Sequence, residues 1–368
     1  MNIYLLKCVV IVHRHKWDRE ASSLFKVDGS YGEGGGQIVR TAISLSAITR
    51  KSIEIINIRA NRVVAGLRRQ HLTAVKATAD LFHAKVENLK LGTDWIRFIP
   101  SSDKFEEGSI KIDVQSAGSI PMILLTLIPA VSLSGKSLSI QITGGTDTRM
   151  SPTADYLRYV VSEAYRNIGI KFGIHILKRG YYPKGGGVMV AEINPCKLPN
   201  SIDLVTTRHL EPKIAGVCCQ LPKHVGERQI SSALLRLEKN GVHCNSYSSS
   251  YETSISPGSS ILVYSKSDFG PYIGGDSIGE RGKPAEQVGA EAAERFLETY
   301  KANVPVDFLL ADMLVVPLSL TKGKSRYRVG KVTEHLRTNL HIASQIVGCK
   351  YNIEPKNNNY LVNIGSLD

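Results

Sequence analysis

Thirteen residues near the start of the chain, Asp28-Gly29-Ser30-Tyr31-Gly32-Glu33-Gly34-Gly35-Gly36-Gln37-Ile38-Val39-Arg40, put five glycines into eight positions around one carboxylate. Glycines leave the backbone bare, so main-chain N–H groups can approach a ligand closely. A helix-like run, Ile38 to Ile48, follows at once and offers its positive N-terminal end to an anion. Arg40 falls in the first turn of that run, where the dipole favours an acid, so its cation has another purpose. The combination predicts a phosphate site with Glu33 as a metal-binding carboxylate. It fits neither common glycine-rich fingerprint. The dinucleotide pattern needs glycine where Gln37 stands, and the P-loop needs Gly-Lys-Ser/Thr.

A second constellation, Arg59-Ala60-Asn61-Arg62-Val63-Val64-Ala65-Gly66-Leu67-Arg68-Arg69-Gln70-His71, leaves a strand and enters a helix. Its guanidinium forks suit bidentate phosphate contacts. A third lies near the end of the chain. Asp312, in Leu310-Ala311-Asp312-Met313, opens a predicted helix, and His335, in Thr333-Glu334-His335-Leu336-Arg337-Thr338-Asn339, stands at a loop-to-helix junction. Two acids at equivalent places, Glu33 and Asp312, can converge on one divalent cation together with a nucleotide's phosphates. Gln115-Ser116-Ala117-Gly118-Ser119, Gly144-Gly145-Thr146-Asp147-Thr148 and Arg179 to Gly187 are glycine-marked loops that read equally as tight turns.

Repeated elements hold these residues. Segments 42–55, 129–140 and 316–327 each read as the end of an apolar helix, a short basic turn with Lys-Ser, then an alternating strand. A second helix follows each, over Gly66 to His83, Pro152 to Ile168 and Leu336 to Val347. A fixed order recurring three times predicts duplicated α/β units, an α+β architecture of βαβαββ type. Ser44 and Ser132 are 88 residues apart, whereas Ser132 and Ser319 are 187 apart. The 99-residue excess is the size of a small domain, and Val205 to Val304 supplies it. The predicted division is 1–26 as an N-terminal extension, 27–204 with 305–368 as a large domain of three repeats, and 205–304 as an inserted α/β domain. Within the insertion, Gly270 to Gly282 reads as a loop, and nothing there reads as catalytic. Ser134-Gly135-Lys136-Ser137 imitates a P-loop but joins helix to strand, the reverse of what phosphate binding needs.

Forty-six Lys and Arg against 33 Asp and Glu leave a net charge of +13 on 368 residues, a surface that attracts nucleic acid. The six cysteines contain no C-x-x-C and read as buried hydrophobes in a reducing compartment. No 18-residue apolar run predicts a membrane span. Tyr4 to Val12 is apolar, but the charged His13-Arg14-His15-Lys16 follows where a cleavage site should be, so the start reads as an extension or a misassigned start codon.

The motifs Asp-Gly-x-x-Gly-Glu-Gly-Gly-Gly-Gln-Ile-x-Arg at 28–40, Ile-Arg-Ala-x-Arg at 58–62, Leu-x-Arg-Gln-His-Leu-Thr-Ala at 67–74 and Gly-Gly-Thr-Asp at 144–147 resemble those of the RNA 3′-terminal phosphate cyclase family. Gly-Tyr-Tyr-Pro-Lys-Gly-Gly-Gly at 180–187, Leu-Ala-Asp at 310–312 and His-Leu-x-Thr-Asn at 335–339 continue the resemblance in order, from about Val27 to the C-terminus. It implies three units like the C-terminal domain of a translation initiation factor, with a small inserted domain. It implies a cytoplasmic enzyme that converts an RNA 3′-phosphate to a 2′,3′-cyclic phosphate, consuming ATP with Mg²⁺ or Mn²⁺ and needing no obligate protein partner. By the resemblance His335 is the nucleophile that becomes adenylylated, and Glu33 and Asp312 are acids beside the metal. Arg40, Arg59 and Arg62 hold the terminal phosphate, Gln37, Arg69 and Gln70 flank that pocket, and Pro152 lies beside the adenine. Two positions depart from the family's habit, Leu125 where glutamine is common and Leu309 where tyrosine is common. A branch of the family without the nucleophile acts in ribosome assembly, and His335 separates this chain from it. An enolpyruvyl-transferase-like enzyme shares the repeated architecture, but the +13 charge and the His-Leu-x-Thr-Asn motif oppose it.

Overall fold

Short alternating runs such as Ile53-Glu54-Ile55 bury every second side chain and form strands, and apolar runs of about 14 residues between them form helices. A computed structural model describes residues 24–101, 107–268 and 270–365. The chain begins with β1 (Phe25–Asp28), α1 (Gly36–Thr49), β2 (Ile53–Ile56), α2 (Arg69–Leu81), β3 (Lys85–Glu87) and β4 (Ile96–Ile99). β5 (Gly108–Asp113), α3 (Ile120–Leu133) and β6 (Leu138–Gly144) follow. A π-helical turn (Tyr156–Val161) then runs into α4 (Ser162–Asn167), ahead of β7 (Phe172–Lys178) and β8 (Gly187–Ile193). β9 (Asp203–Leu204) precedes the long insertion of β10 (Lys213–Cys219), α5 (His224–Glu238), β11 (Ser246–Tyr251), β12 (Gly258–Lys266), β13 (Tyr272–Ile278) and α6 (Ala285–Ala302). The chain closes with α7 (Phe308–Leu318), β14 (Ser325–Val329), α8 (Glu334–Val347), β15 (Lys350–Lys356) and β16 (Asn359–Gly365).

This is the mixed α+β class expected. Three of the four sheets have one build, β1-β2-β4-β3, β5-β6-β8-β7 and β9-β14-β16-β15. In each, the first pair is parallel and the other two are antiparallel. The first helix of each unit is the crossover that a parallel pair requires. The fourth sheet, β11-β10-β12-β13, carries α5 and α6 and has its own apolar cluster around Phe296, Val288 and Ile230. A larger core joins the other three sheets, with α1 packed on both α3 and α8.

Several boundaries differ from the expected ones. β1 starts at Phe25, so residues 25 and 26 pair with β2 and belong to the first sheet; the rest of the supposed extension, 1–23, and the question of the start codon lie outside the described residues. The second helix of the first unit begins at Arg69 and not Gly66, because the Leu67 N–H donates to the Thr93 carbonyl and the Leu67 carbonyl accepts from the Gly92 N–H across a loop that local sequence does not show. The corresponding helix of the second unit starts at Ala154 and not Pro152: the Thr153 hydroxyl accepts from the Tyr156 N–H, while the Thr153 N–H donates to Asp276 of the insertion. The segment 270–282 is not a loop. Its central part is β13, and two of its glycines, Gly274 and Gly275, sit in that strand, where a side chain at Gly275 would come within 2.3 Å of the Phe296 nitrogen in α6.

Polar bonds fasten the insertion to the rest. The Asp307 carboxylate caps α7 through the N–H groups of Leu309 and Leu310, and also accepts from Gly274 in β13 and from the Tyr156 hydroxyl at 2.6 Å. Arg179, 2% exposed, donates to Asp155 at 2.8 Å, Asp147 at 3.4 Å and Glu252 at 2.9 Å. Glu252 lies just past β11, so this one guanidinium ties the insertion to the second unit.

Candidate active site

The glycine loop runs down the side of α8, and that register builds the site. Glu33 meets His335 with 3.3 Å between carboxylate and Nδ1, Gly32 faces Thr338, and the Tyr31 ring stacks on His341 with centroids 3.9 Å apart. Residues 335, 338 and 341 form an i, i+3, i+6 row along one side of the helix. Gly32 has φ +57°, and a Cβ there would lie 2.4 Å from the Thr338 hydroxyl. Gly32→Ala is therefore expected to lift the loop and part Glu33 from His335, lowering the rate of any covalent step at His335 by about tenfold or more. Thr338→Ala in the same chain should recover part of that rate, and a single-turnover measurement on the two variants checks it.

His335 is the second residue of α8. Thr333 caps the helix, its hydroxyl oxygen accepting from the Leu336 N–H at 2.9 Å, and donates its own proton to Asp312 at 2.7 Å. Asn339 donates to the Asp312 carbonyl at 3.1 Å and accepts from Thr41 of α1 at 2.8 Å, so α1, α7 and α8 are locked together beneath His335. Gln37, nearly fully buried on α1, donates to the His335 carbonyl at 3.2 Å. Burial pushes the His335 imidazole below its ordinary value; Glu33 opposes the shift, and Arg40 and Arg62 add to it. The ring is thus held neutral, with a free lone pair, at pH 7.

Gln37, Thr41, Asp312, His335 and Asn339 border a cavity of about 340 Å³, with Glu33 outside its lining. Its polar lining includes Gln37, Arg40, Asp312 and His335, and its apolar wall is made by Met122, Leu125, Pro152, Phe308 and Leu309. Arg40 is part-buried, and among the described residues its guanidinium makes no hydrogen bond or ion pair; burial alone brings it down to about 10. An unpaired, desolvated cation is costly unless an anion joins it. Asp312 is pushed up to about 8, by burial first and by its neighbours Asp307 and Glu33 next, so it holds a proton at neutral pH in the absence of a cation.

Other expected site residues are elsewhere. Arg62 pairs with Glu33 at 2.8 Å and orients it from the cavity's edge. Arg59, at φ +56°, closes its own loop by donating to the carbonyls of Val64 and Gly66. Arg69 lines a separate cleft of about 260 Å³ with Lys76 and Lys111, and Gln70 accepts from the Ser119 N–H at the start of α3. Asp312 is in the second turn of α7; Asp307, not Asp312, opens that helix. Sequence reading missed two charged residues. Asp276 and Arg295 of the insertion line the cavity, with Arg295 donating to the Asp276 carbonyl at 2.6 Å. Reading 272–278 as a strand would have pointed to Asp276, whereas Arg295, on α6, carries no local signal of its place at the cavity. His71, buried beneath Gly36 and held down to about 3 by its burial and by Arg40, Arg59 and Arg68, is a neutral packing group.

Residues 31–353 match the family model described as RNA 3′-terminal phosphate cyclase. The chain belongs to that family. It is 40% identical over 341 residues to the RNA 3′-terminal phosphate cyclase of Pyrobaculum neutrophilum, covering 92% of this chain and 97% of that protein. The cyclase of Pyrococcus furiosus is 40% identical over 330 residues, 89% of this chain and 94% of its own. That of Methanopyrus kandleri is 36% identical over 341 residues, 91% and 96% respectively. These relatives, about 40% identical over some nine-tenths of the chain, carry the name of an enzyme, and the chain is an enzyme of that family. Leu125 and Leu309, the two positions expected to depart from the family's pattern, both line the cavity. No helix among the described residues is long and apolar enough to cross a membrane.

Proposed function

We propose that this enzyme converts an RNA 3′-phosphate end to a 2′,3′-cyclic phosphate, with ATP consumed to AMP and pyrophosphate through a covalent adenylate on His335. The observation that carries the reading is the unpaired Arg40 beside a neutral histidine in one cavity, an anion's partner next to a nucleophile. The Nδ1 of His335 faces Glu33, which leaves Nε2 to attack the α-phosphorus, forming the P–N bond as pyrophosphate leaves. An oxygen of the RNA 3′-phosphate next attacks the adenylate phosphorus, and the imidazole departs. The ribose 2′-OH then attacks the activated 3′-phosphorus and AMP leaves; the fixed geometry of the ribose supplies most of the proximity. Arg40 neutralises charge building on the phosphoryl oxygens, and the apolar wall with Pro152 takes the base.

A divalent cation, Mg²⁺ or Mn²⁺, fits here in one way. Among the described residues no three ligating side chains converge, but Glu33 and Asp312 are near enough that Glu33 raises Asp312. Such an ion is commonly held by one or two carboxylates plus substrate phosphates, and when bound it neutralises phosphate charge. We read 27–204 with 305–368 as the catalytic domain and 205–304 as an insertion that adds Arg295 and Asp276 to the nucleotide's surroundings. Free cysteines at 196, 218, 219, 244 and 349 favour the reducing cytoplasm. The test supplies an oligoribonucleotide 3′-phosphate, ATP and Mg²⁺ or Mn²⁺. The expected product resists phosphatase, with one AMP and one pyrophosphate per end. An end that stays phosphatase-sensitive, or release of ADP, overturns the reading.

A further inference from the structure

The Tyr31–His341 stack leads from His335 to a second groove, of about 350 Å³, lined by Lys324, Lys350 and Tyr351. Tyr31 is 41% exposed and Tyr351 37% exposed, and Tyr351 lies close enough to Tyr31 and Arg337 to feel both electrostatically. Among the described residues neither Lys324 nor Lys350 makes a salt bridge, and Lys324 only helps Lys356 to lower the Glu354 carboxyl from a distance. The groove's acid, Glu354, is taken by Lys356 at 3.0 Å and by the amides of Asn352 and Asn363. Exposed aromatic rings leading to two lysines without salt bridges suit one occupant, a single strand whose bases stack while its phosphates pair.

We propose that this path, Tyr31 and His341 followed by Tyr351, Lys350 and Lys324, carries the RNA strand upstream of the reacting 3′ end. The proposal rests on the reading that this end reacts at His335. Six residues of α8 separate His335 from His341, a rise of about 9 Å. That is roughly two to three stacked nucleotides at about 3.4 Å each. The terminal nucleotide occupies the cavity, the second or third reaches the Tyr31–His341 stack, and those before it cross Tyr351 to the two lysines. The cleft at Arg69, Lys76 and Lys111 is the competing basic surface, but no exposed aromatic ring lines it.

The experiment measures KM for 3′-phosphorylated oligoribonucleotides from two to eight residues long, and, by fluorescence anisotropy without ATP, the affinity for a labelled octamer 3′-phosphate. KM of the unaltered enzyme should fall with length through about five nucleotides and then level. Tyr351→Ala should weaken octamer binding and raise octamer KM about tenfold, leaving the dinucleotide and the adenylylation rate unchanged, while Tyr351→Phe behaves as the parent. Lys324→Ala with Lys350→Ala should lower the salt slope of octamer binding by about 1.4. The proposal falls if KM is independent of length, if Tyr351→Ala affects dimer and octamer alike, or if Lys76→Ala with Lys111→Ala produces the length-dependent loss instead. Weaker octamer binding by Tyr351→Ala in a protein that cyclises nothing would support this path and overturn the catalytic reading alone.

Discussion

His335→Ala is expected to abolish the protein–AMP adduct formed from labelled ATP, with a loss of at least about 10³-fold, or roughly 4 kcal/mol on the barrier. No neighbouring group can substitute. Glu33 is engaged by Arg62, Asp312 is protonated and buried, and His71 lies behind the glycine loop without a path to the cavity. The variant should fold normally, because the His335 side chain is 41% exposed and the core of α8 is made by Leu336, Leu340 and Ala343. The adduct in the unaltered enzyme should be labile to acid and stable to base, as a phosphoramidate is. An adduct that survives the substitution assigns the nucleophile elsewhere. The pH profile adds a second readout. A histidine held below 6.5 by burial stays neutral through pH 7, so the acid limb of adenylylation should lie below pH 6.5.

Arg179→Ala is expected to be the most destabilising single change away from the chemistry, costing about 3–5 kcal/mol or preventing folding. The guanidinium is held firmly charged by Asp147 and Asp155, and its removal strands both carboxylates where water does not reach, with Glu252 beside them. Arg179→Met should fare little better, since it fills the volume and still leaves the acids unpaired. Arg179→Met combined with Asp155→Asn should recover part of the loss by deleting one stranded charge. Denaturant midpoints for the four proteins decide this, and a midpoint for Arg179→Ala equal to the parent's would show the network to be energetically idle. Because Glu252 belongs to the insertion, the same change should loosen the fourth sheet from the second unit.

The element order, and the place of His335 at the start of a helix, were legible without coordinates. Alternation identified β2, β6 and β14, the Thr-Glu-His junction placed His335 at a helix start, and the matched spacing of three segments exposed the insertion. Those features are local, written within one turn or one strand by periodicity, caps and glycines. What sequence left open was where each arginine points. Arg59 and Arg62 are three residues apart in one loop, yet one closes that loop and the other orients Glu33, because left-handed backbone at Arg59 turns its side chain back on Val64 and Gly66. Arg69, in the same basic stretch, faces another cleft altogether.

The chain by itself therefore determined the recurring order of helix and strand and the position of His335 at the head of its helix. Tertiary structure alone decided the composition of the cavity. Gln37 meets the His335 carbonyl across 298 residues of chain, Thr41 meets Asn339 across the same interval, and the Thr153 N–H meets Asp276 across 123. Such contacts carry no periodic signature, since nothing in the intervening sequence is required to register the distance. They arise only when α1, α7 and α8 pack around a shared core, and the sheet of the insertion, tight against α6 through Gly275, then brings Asp276 and Arg295 to the cavity from outside the repeats.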